Sequence, residues 1–229
     1  LPKGCTLKVA VVSREIDGKY YVGIDCQIDE VEHYLRLDTN KAIGFDYSST
    51  HFVVDSNGNE YNMPHFYRDK LDEIKKLKKK LNNSVPESNN YYRKQKELIK
   101  LYSKITRRRK DYLNKLSSSI IKNYDYICVE DIDLNALSKR NVLKNATRDN
   151  SFGEFVKMLE YKASDNGKRL IKVDRWYPSS KTCHVCGYVY KALDIETKSW
   201  RCPECSTLHD RDINAAINIK NEGLKHVNR

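Results

Sequence analysis

The chain has 229 residues, of which 39% are hydrophobic. That fraction is low, but the chain is long enough to bury a core, and one large domain or a domain with appendages is expected. Lys and Arg number 42 against 31 Asp and Glu, a net charge of +11. No apolar run approaches the ~18 residues of a membrane-spanning helix, and no charged-then-apolar leader precedes the first strand pattern, so neither a membrane partner nor export is expected.

In chain order, residues 6–12 and 19–27 read as β-strands rich in β-branched and aromatic residues, joined by a hairpin signal at Asp17-Gly18. They look like the end of a β-structure whose first part is missing, and the Leu1 start suggests a piece of a longer protein. Residues 28–40 read as an acidic linker. Residues 41–63 divide into strand, tight turn, strand, an Asn57-Gly58 turn and a short strand, with Asp46 ending the first strand. The pattern then turns helical. Leu71, Ile74, Leu77 and Leu81 form one stripe, and Leu98, Tyr102, Ile105, Tyr112, Leu116 and Ile120 form another, with the loop 82–90 between them. An antiparallel helical hairpin follows from that arrangement. Residues 124–130 read as a buried strand ending at Glu130, and residues 136–150 as a basic, polar loop. Residues 151–167 read as a helix with Ser151 and Glu154 as a capping box. Residues 170–176 form another strand, and a last helix over 210–221 is expected to stop at Gly223.

The charge excess is local. Residues 68–115 hold 17 basic and 6 acidic side chains, while the remainder balances at 25 against 25. A positive charge confined to one segment is an electrostatic footprint for a polyanion, and nucleic acid is the expected partner. Lys76, Lys79, Arg107, Arg108, Arg109 and Lys110 on the helices, with Lys139 and Arg140 in the following loop, are the candidate backbone contacts. Trp176, with Tyr91, Tyr92 and Tyr177, is a candidate for stacking on bases.

Four of the seven cysteines form Cys183-x-x-Cys186 and Cys202-x-x-Cys205, separated by fifteen residues. Two residues between cysteines let a tight turn aim both thiolates at one ion, and Gly187 suits such a turn. Two knuckles give a closed tetrahedron of sulfurs, hence structural zinc. His184 and His209 lie beside the knuckles, but four sulfurs already fill the shell and neither is assigned a role. The odd cysteine count without an export signal points to a reducing cytoplasm.

Three acids, Asp46, Glu130 and Asp212, stand at strand or helix ends. If the two strands are neighbours and the last helix crosses them, the carboxylates converge, and cations must then offset their repulsion. Hard oxygen ligands select Mg²⁺ or Mn²⁺, and a pair of such ions serves phosphodiester hydrolysis. Asp210 has the position of an N-cap, which leaves Asp212 for the metal.

The motifs "GFDYSS", "VEDIDL", "RWYPSSKTCHVCG", "CPEC" and "HDRDINAAINI", in this order, resemble the TnpB family of transposon-encoded, RNA-guided DNA endonucleases, similar to type V CRISPR effectors. The resemblance covers roughly residues 41–222. It implies an α/β RNase H-like (RuvC) fold with a mixed sheet, a basic helical-hairpin insertion and a zinc ribbon, preceded by the end of a β-barrel. The implied division is 1–36 for the barrel remnant, 37–181 for the nuclease core with the insertion 66–122, 182–206 for the ribbon, and 207–229 for the last core helix and tail. The family's acidic triad maps onto Asp46, Glu130 and Asp212, and its partners are a guide RNA and target DNA. Two departures stand out: the family's N-terminal recognition helices are absent, and Tyr47-Ser48-Ser49 follows the first aspartate where many relatives have a small or Gly-containing turn. The alternatives are a guide-dependent binder without cleavage, a DNA-strand transferase, or a plain zinc-ribbon protein.

Overall fold

The computed structural model describes residues 5–28, 37–48, 51–132, 151–194, 196–225 and 227. The expectations for residues 29–36 of the linker and for the whole loop 136–150, with Lys139 and Arg140, lie outside these residues. The chain divides into two compact units, residues 1–34 with 66–110, and residues 35–65 with 111–229.

The first unit contains the antiparallel hairpin β1 (Cys5–Arg14) and β2 (Tyr20–Ile28). Gly18 turns it at φ +86°, as the Asp17-Gly18 signal predicts. Next come a 3₁₀ turn (Arg68–Lys70), helix α1 (Leu71–Asn82) and the long helix α2 (Asn89–Asn123), whose residues from Asp111 onward count with the second unit. Ser88 Oγ accepts the Tyr91 N–H at 3.1 Å, capping α2. The predicted seam is present, with Ile74, Leu101 and Ile105 buried against Leu77, Leu98 and Tyr102.

The second unit is built on a mixed sheet of β3 (Ala42–Tyr47), β4 (Val53–Asp55), β5 (Glu60–Tyr61), β6 (Tyr126–Glu130) and β7 (Arg169–Val173), in the order β5-β4-β3-β6-β7. β3, β6 and β7 are parallel, and β4 runs antiparallel to β3. The central strands are near-continuous apolar runs because both faces are covered. On one face, α3 (Phe152–Asp165) sets Phe155 edge-on against Phe45 at 6.3 Å and close to Phe52 at 5.2 Å. Ser151 begins α3, but its side chain makes no capping hydrogen bond, so the predicted capping box is not formed. Phe152 and Phe155, packed on the sheet, hold the start of this helix instead.

On the other face lies α4 (Arg211–Lys225), reached from a ribbon containing β8 (Ser199–Arg201) and β9 (Leu208–Asp210). The helix does not stop at Gly223. This glycine is inside α4, where a Cβ would stand 2.5 Å from Cys128 Sγ. Gly44 is tighter still: a Cβ there would overlap the Ala216 carbonyl oxygen and stand 2.7 Å from Lys220 N. Both glycines exist to let helix backbone touch sheet. No described helix is long and apolar enough to cross a membrane.

Gly44→Ala sets a side chain against helix backbone that cannot swing away. We expect a loss of about 3 kcal/mol, which lowers the thermal midpoint by roughly 6–12 °C for a chain of this size. An unchanged midpoint in calorimetry would contradict the close approach.

Candidate active site

The sheet order places a switch point between β3 and β6. From β3 the chain moves outward to β4 and β5, then returns to the other side of β3 as β6. In open α/β sheets, ligands bind beyond the carboxyl ends of the strands at such a point. Asp46 and Glu130 lie there, one residue beyond the paired Phe45 and Val129. Alternation puts Asp46 on the face of Gly44, and Glu130 on the face of Cys128. Gly44 touches α4 backbone, and Cys128 Sγ donates to Lys220 O at 3.8 Å, so both acids share the α4 face.

Asp212 is one helical turn before Ala216. That turn spans about 6 Å, close to the ~6.6 Å between Gly44 and Asp46 along the strand. The two steps carry both acids toward the same end of the helix–sheet contact. Asp46 feels the charge of both other acids. Burial raises the Asp46 carboxyl well above the usual carboxylate range, and the charges of Asp212 and then Glu130 add to this. Burial also raises Glu130. Among the described residues, no donor hydrogen-bonds the carboxylate of Asp46 or Glu130. Such partly buried, donor-poor oxygens fit a divalent cation, which offsets their repulsion. The three carboxylates are less tightly drawn together than the cysteines, which are the single group among the described residues whose ligand atoms all lie within 4.8 Å of one another.

Asp212 is held differently. It is 8% exposed, accepts from Ser48 Oγ at 3.1 Å and Lys198 Nζ at 3.2 Å on Oδ2, and lies 3.4 Å from Arg211 on Oδ1. Ser48 follows the last residue of β3, and its hydroxyl ties the end of that strand to the helix. Asp210 Oδ1 accepts the N–H groups of Asp212 and Ile213, both at 3.0 Å, which is N-cap geometry.

The ribbon fits zinc. Cys183 and Cys205 sulfurs are 3.6 Å apart, as are those of Cys186 and Cys202. Zn–S bonds of ~2.3 Å in a tetrahedron require S–S edges of about 3.8 Å. The knuckles repeat each other's backbone: Gly187 N–H bonds Cys183 O and Ser206 N–H bonds Cys202 O, both at 2.9 Å, with φ +78° at Gly187 and +59° at Ser206. His209 does have a place, contrary to expectation. It is 2% exposed, its Nε2 is 3.1 Å from Cys183 Sγ, and its ring packs on Trp200 at 4.6 Å and His184 at 4.9 Å.

The predicted basic contacts separate into two kinds. Lys76, Lys79, Arg108 and Lys110 are exposed. Arg107 is committed within its own unit, with Nη1 2.6 Å from the buried Asp17 and donating to Tyr21 OH at 3.0 Å; it braces the hairpin turn instead of facing a partner. Arg109 is half-buried. Trp176 is 84% exposed in the turn after β7, with its backbone N–H bonded to Asp174. Sequence reasoning missed Ser48, Lys198, His209, Asn214 and Asn218. The "INAAIN" repeat of asparagine at four-residue spacing on a helix was the available signal for the last two.

A family model described as "Probable transposase" matches residues 21–141, and one described as "Cas12f1-like, TNB domain" matches residues 152–219. A Streptomyces pristinaespiralis protein named "Putative RNA-guided DNA endonuclease" is 33% identical over 98% of this chain and 55% of its own length. The "TnpB-like protein L79" of Acanthamoeba polyphaga mimivirus is 33% identical over 76% of this chain and 32% of its own. A cryo-EM structure of a CRISPR-Cas12f ternary complex superposes with a TM-score of 0.63 at 19% identity, over 93% of this chain and 44% of the other, a likeness of fold. The chain thus spans about half the length, or less, of the relatives it matches. With one family model covering more than half its residues and relatives of that kind along most of its length, the chain belongs to the TnpB family.

Proposed function

We propose that this chain carries the catalytic centre of an RNA-guided DNA endonuclease, with an RNase H-like (RuvC) core from 37 to 181 and 207 to 229, the helical insertion 66–122, and the zinc ribbon 182–206 docked on the last helix. What supports the reading is the placement of Asp46 and Glu130 at adjacent strand ends on the face that the helix of Asp212 covers, with the Asp46 carboxyl raised by burial and then by the charges of Asp212 and Glu130. Residues 1–36 are the end of a wedge-like barrel. A guide RNA and target DNA are the partners in this reading, in keeping with the relative named an RNA-guided DNA endonuclease. The thiolate ligands of the zinc suit a reducing cytoplasm.

In this reading Asp46, Glu130 and Asp212 hold Mg²⁺ or Mn²⁺. Bound there in pairs, such ions supply an activated water and charge neutralisation at the leaving oxygen. Ser48 and the N-cap at Asp210 fix the Asp212 carboxylate in place, and the cap alone is worth about 1 kcal/mol. Lys198 and Arg211 hold positive charge at the rim, where a phosphate arrives. The exposed Lys76, Lys79, Arg108 and Lys110, with Lys139 and Arg140, contact sugar-phosphate backbone, and Trp176 offers a face for a base. A guide–target duplex is then gripped by charge and shape, while base pairing supplies the sequence.

Two other readings have a specific support. The Pelobacter propionicus relative, 29% identical, is named "CRISPR-associated DNA-binding protein Cas12m". A binder has no need of three acids at the carboxyl ends of the strands and the start of the last helix, and this chain keeps them. The description "Probable transposase" fits a strand transferase, which uses the same carboxylates with a 3′-hydroxyl in place of water.

Incubated with single-stranded DNA and Mg²⁺, the chain should release cut fragments with free ends. Asp212→Ala should cut at least about 100-fold more slowly. Equal cutting by both proteins sinks the assignment, and joined strands select the transferase.

A second expectation concerns stability without cations. The raised folded-state pKa of Asp46 means that the unfolded chain gives up this proton at lower pH than the folded chain does. Stability is therefore lost as pH rises from about 4 toward the folded-state value, and the deficit persists above it. In chelator at pH 8, Asp46→Asn should have a higher thermal midpoint than wild type, with the difference shrinking as pH falls toward 4. A variant less stable than wild type at pH 8 would contradict the repulsion.

A further inference from the structure

Helix α4 is fastened to the first zinc knuckle by two buried asparagines. Asn214, 1% exposed, donates from Nδ2 to Thr182 O at 2.8 Å and accepts the His184 N–H at 3.1 Å on Oδ1. Asn218, 3% exposed, donates to Thr182 O at 2.6 Å and Ser179 O at 2.8 Å. Thr182 and His184 flank Cys183, so the backbone groups that satisfy these amides are those a zinc ion fixes when it closes the knuckle. The second knuckle reaches the same helix from its N-terminal end. His209, against Cys183 Sγ, immediately precedes the Asp210 cap. Arg211 N–H bonds Lys198 O at 2.8 Å, and the Lys198 side chain grips Asp212.

We propose that Asn214 and Asn218 are positioning residues that couple zinc loading of the ribbon to cation binding at Asp212, through their shared grip on the Thr182–His184 backbone. The inference rests on the carboxylate reading above. Its physical basis is the cost of an unsatisfied buried amide. An open knuckle withdraws the carbonyls of Ser179 and Thr182 and the His184 N–H together, and α4 keeps its position over β3 only by leaving both asparagines unpaired. The helix shifts or frays at the end that carries Asp212, and the carboxylate site loosens. Coupling of this kind is reciprocal, so a cation at Asp212 must tighten zinc by the same factor.

The test is a pair of affinity measurements on the full chain. Mn²⁺ binding is read from the EPR signal of the free ion for zinc-loaded and zinc-stripped protein, with Asp212→Ala setting the background. Zinc retention is read by competition with a chromogenic chelator, with and without saturating Mg²⁺. We expect removal of zinc to weaken Mn²⁺ at least about fivefold, and Mg²⁺ to tighten zinc by a matching factor. The double variant Asn214→Ala, Asn218→Ala should retain one zinc per chain, bind Mn²⁺ as weakly as the zinc-stripped wild type, and show no effect of Mg²⁺ on zinc. If stripping unfolds the protein, the chelator measurement decides, because every sample in it starts folded and loaded. Zinc retention indifferent to Mg²⁺, or a double variant with wild-type coupling, overturns the proposal and leaves the carboxylate reading standing. Absence of Mn²⁺ binding by the zinc-loaded wild type overturns both.

Discussion

The contact between α4 and β3 at Gly44 governs everything that happens at the strand ends. A side chain of any size there would lift the helix from the sheet, because what it meets is the hydrogen-bonded pair Ala216 O and Lys220 N, not a movable side chain. With the helix seated, Asp212 faces the strand end that bears Asp46, and Glu130 follows from the neighbouring strand in register. Gly223 repeats the device over Cys128 one strand away. Two missing methyl groups thus fix the helix at two points, and a line through two points leaves little freedom for the carboxylate at its end.

The site stores repulsion that the rest of the fold must outweigh. Asp46 is half-buried beside two other acids, and Lys198 and Arg211 lower its burden only partly. Both cations lie on the Asp212 side, one from the ribbon and one from the helix itself. Around the acids stand rigid, well-satisfied elements. Phe45, Phe52 and Phe155 pack the opposite face of the sheet, Asp55 is fully buried with its turn bonded around it, and Lys162 bonds Asn114 O, Ser117 Oγ and Ser118 Oγ to join α3 to the end of α2. In the proposed reading, a cation bound among these acids would offset that repulsion.

Much of this was legible in the sequence where the determinants are local. The cysteine spacing prescribes both knuckles, since two intervening residues and a following positive-φ position are a purely short-range geometry. Strand ends at Asp46 and Glu130 are readable because an apolar run stops there. What was not legible depended on partners far away in the chain. Gly223 reads as a helix stop, yet its role is set by Cys128 on another strand. Gly44 reads as one small residue in a strand, yet its need for no side chain arises from a helix that begins at Arg211. Arg107 looks like the centre of a basic patch until Asp17, from the hairpin, claims it. His209 seemed superfluous beside four sulfurs, but lies against one of them. The three acids were grouped by their places at strand and helix ends, and the family resemblance supplied their roles, which no spacing rule could have given.

The most direct test of the carboxylate cluster is a crystal of the chain soaked in Mn²⁺ and recorded at the manganese absorption edge. Two anomalous peaks about 3.5–4 Å apart, each within bonding distance of oxygens from Asp46, Glu130 or Asp212 and with all three engaged, are the predicted result. Ordered carboxylates with no peak among them, or manganese held by Asp212 alone, would contradict the account.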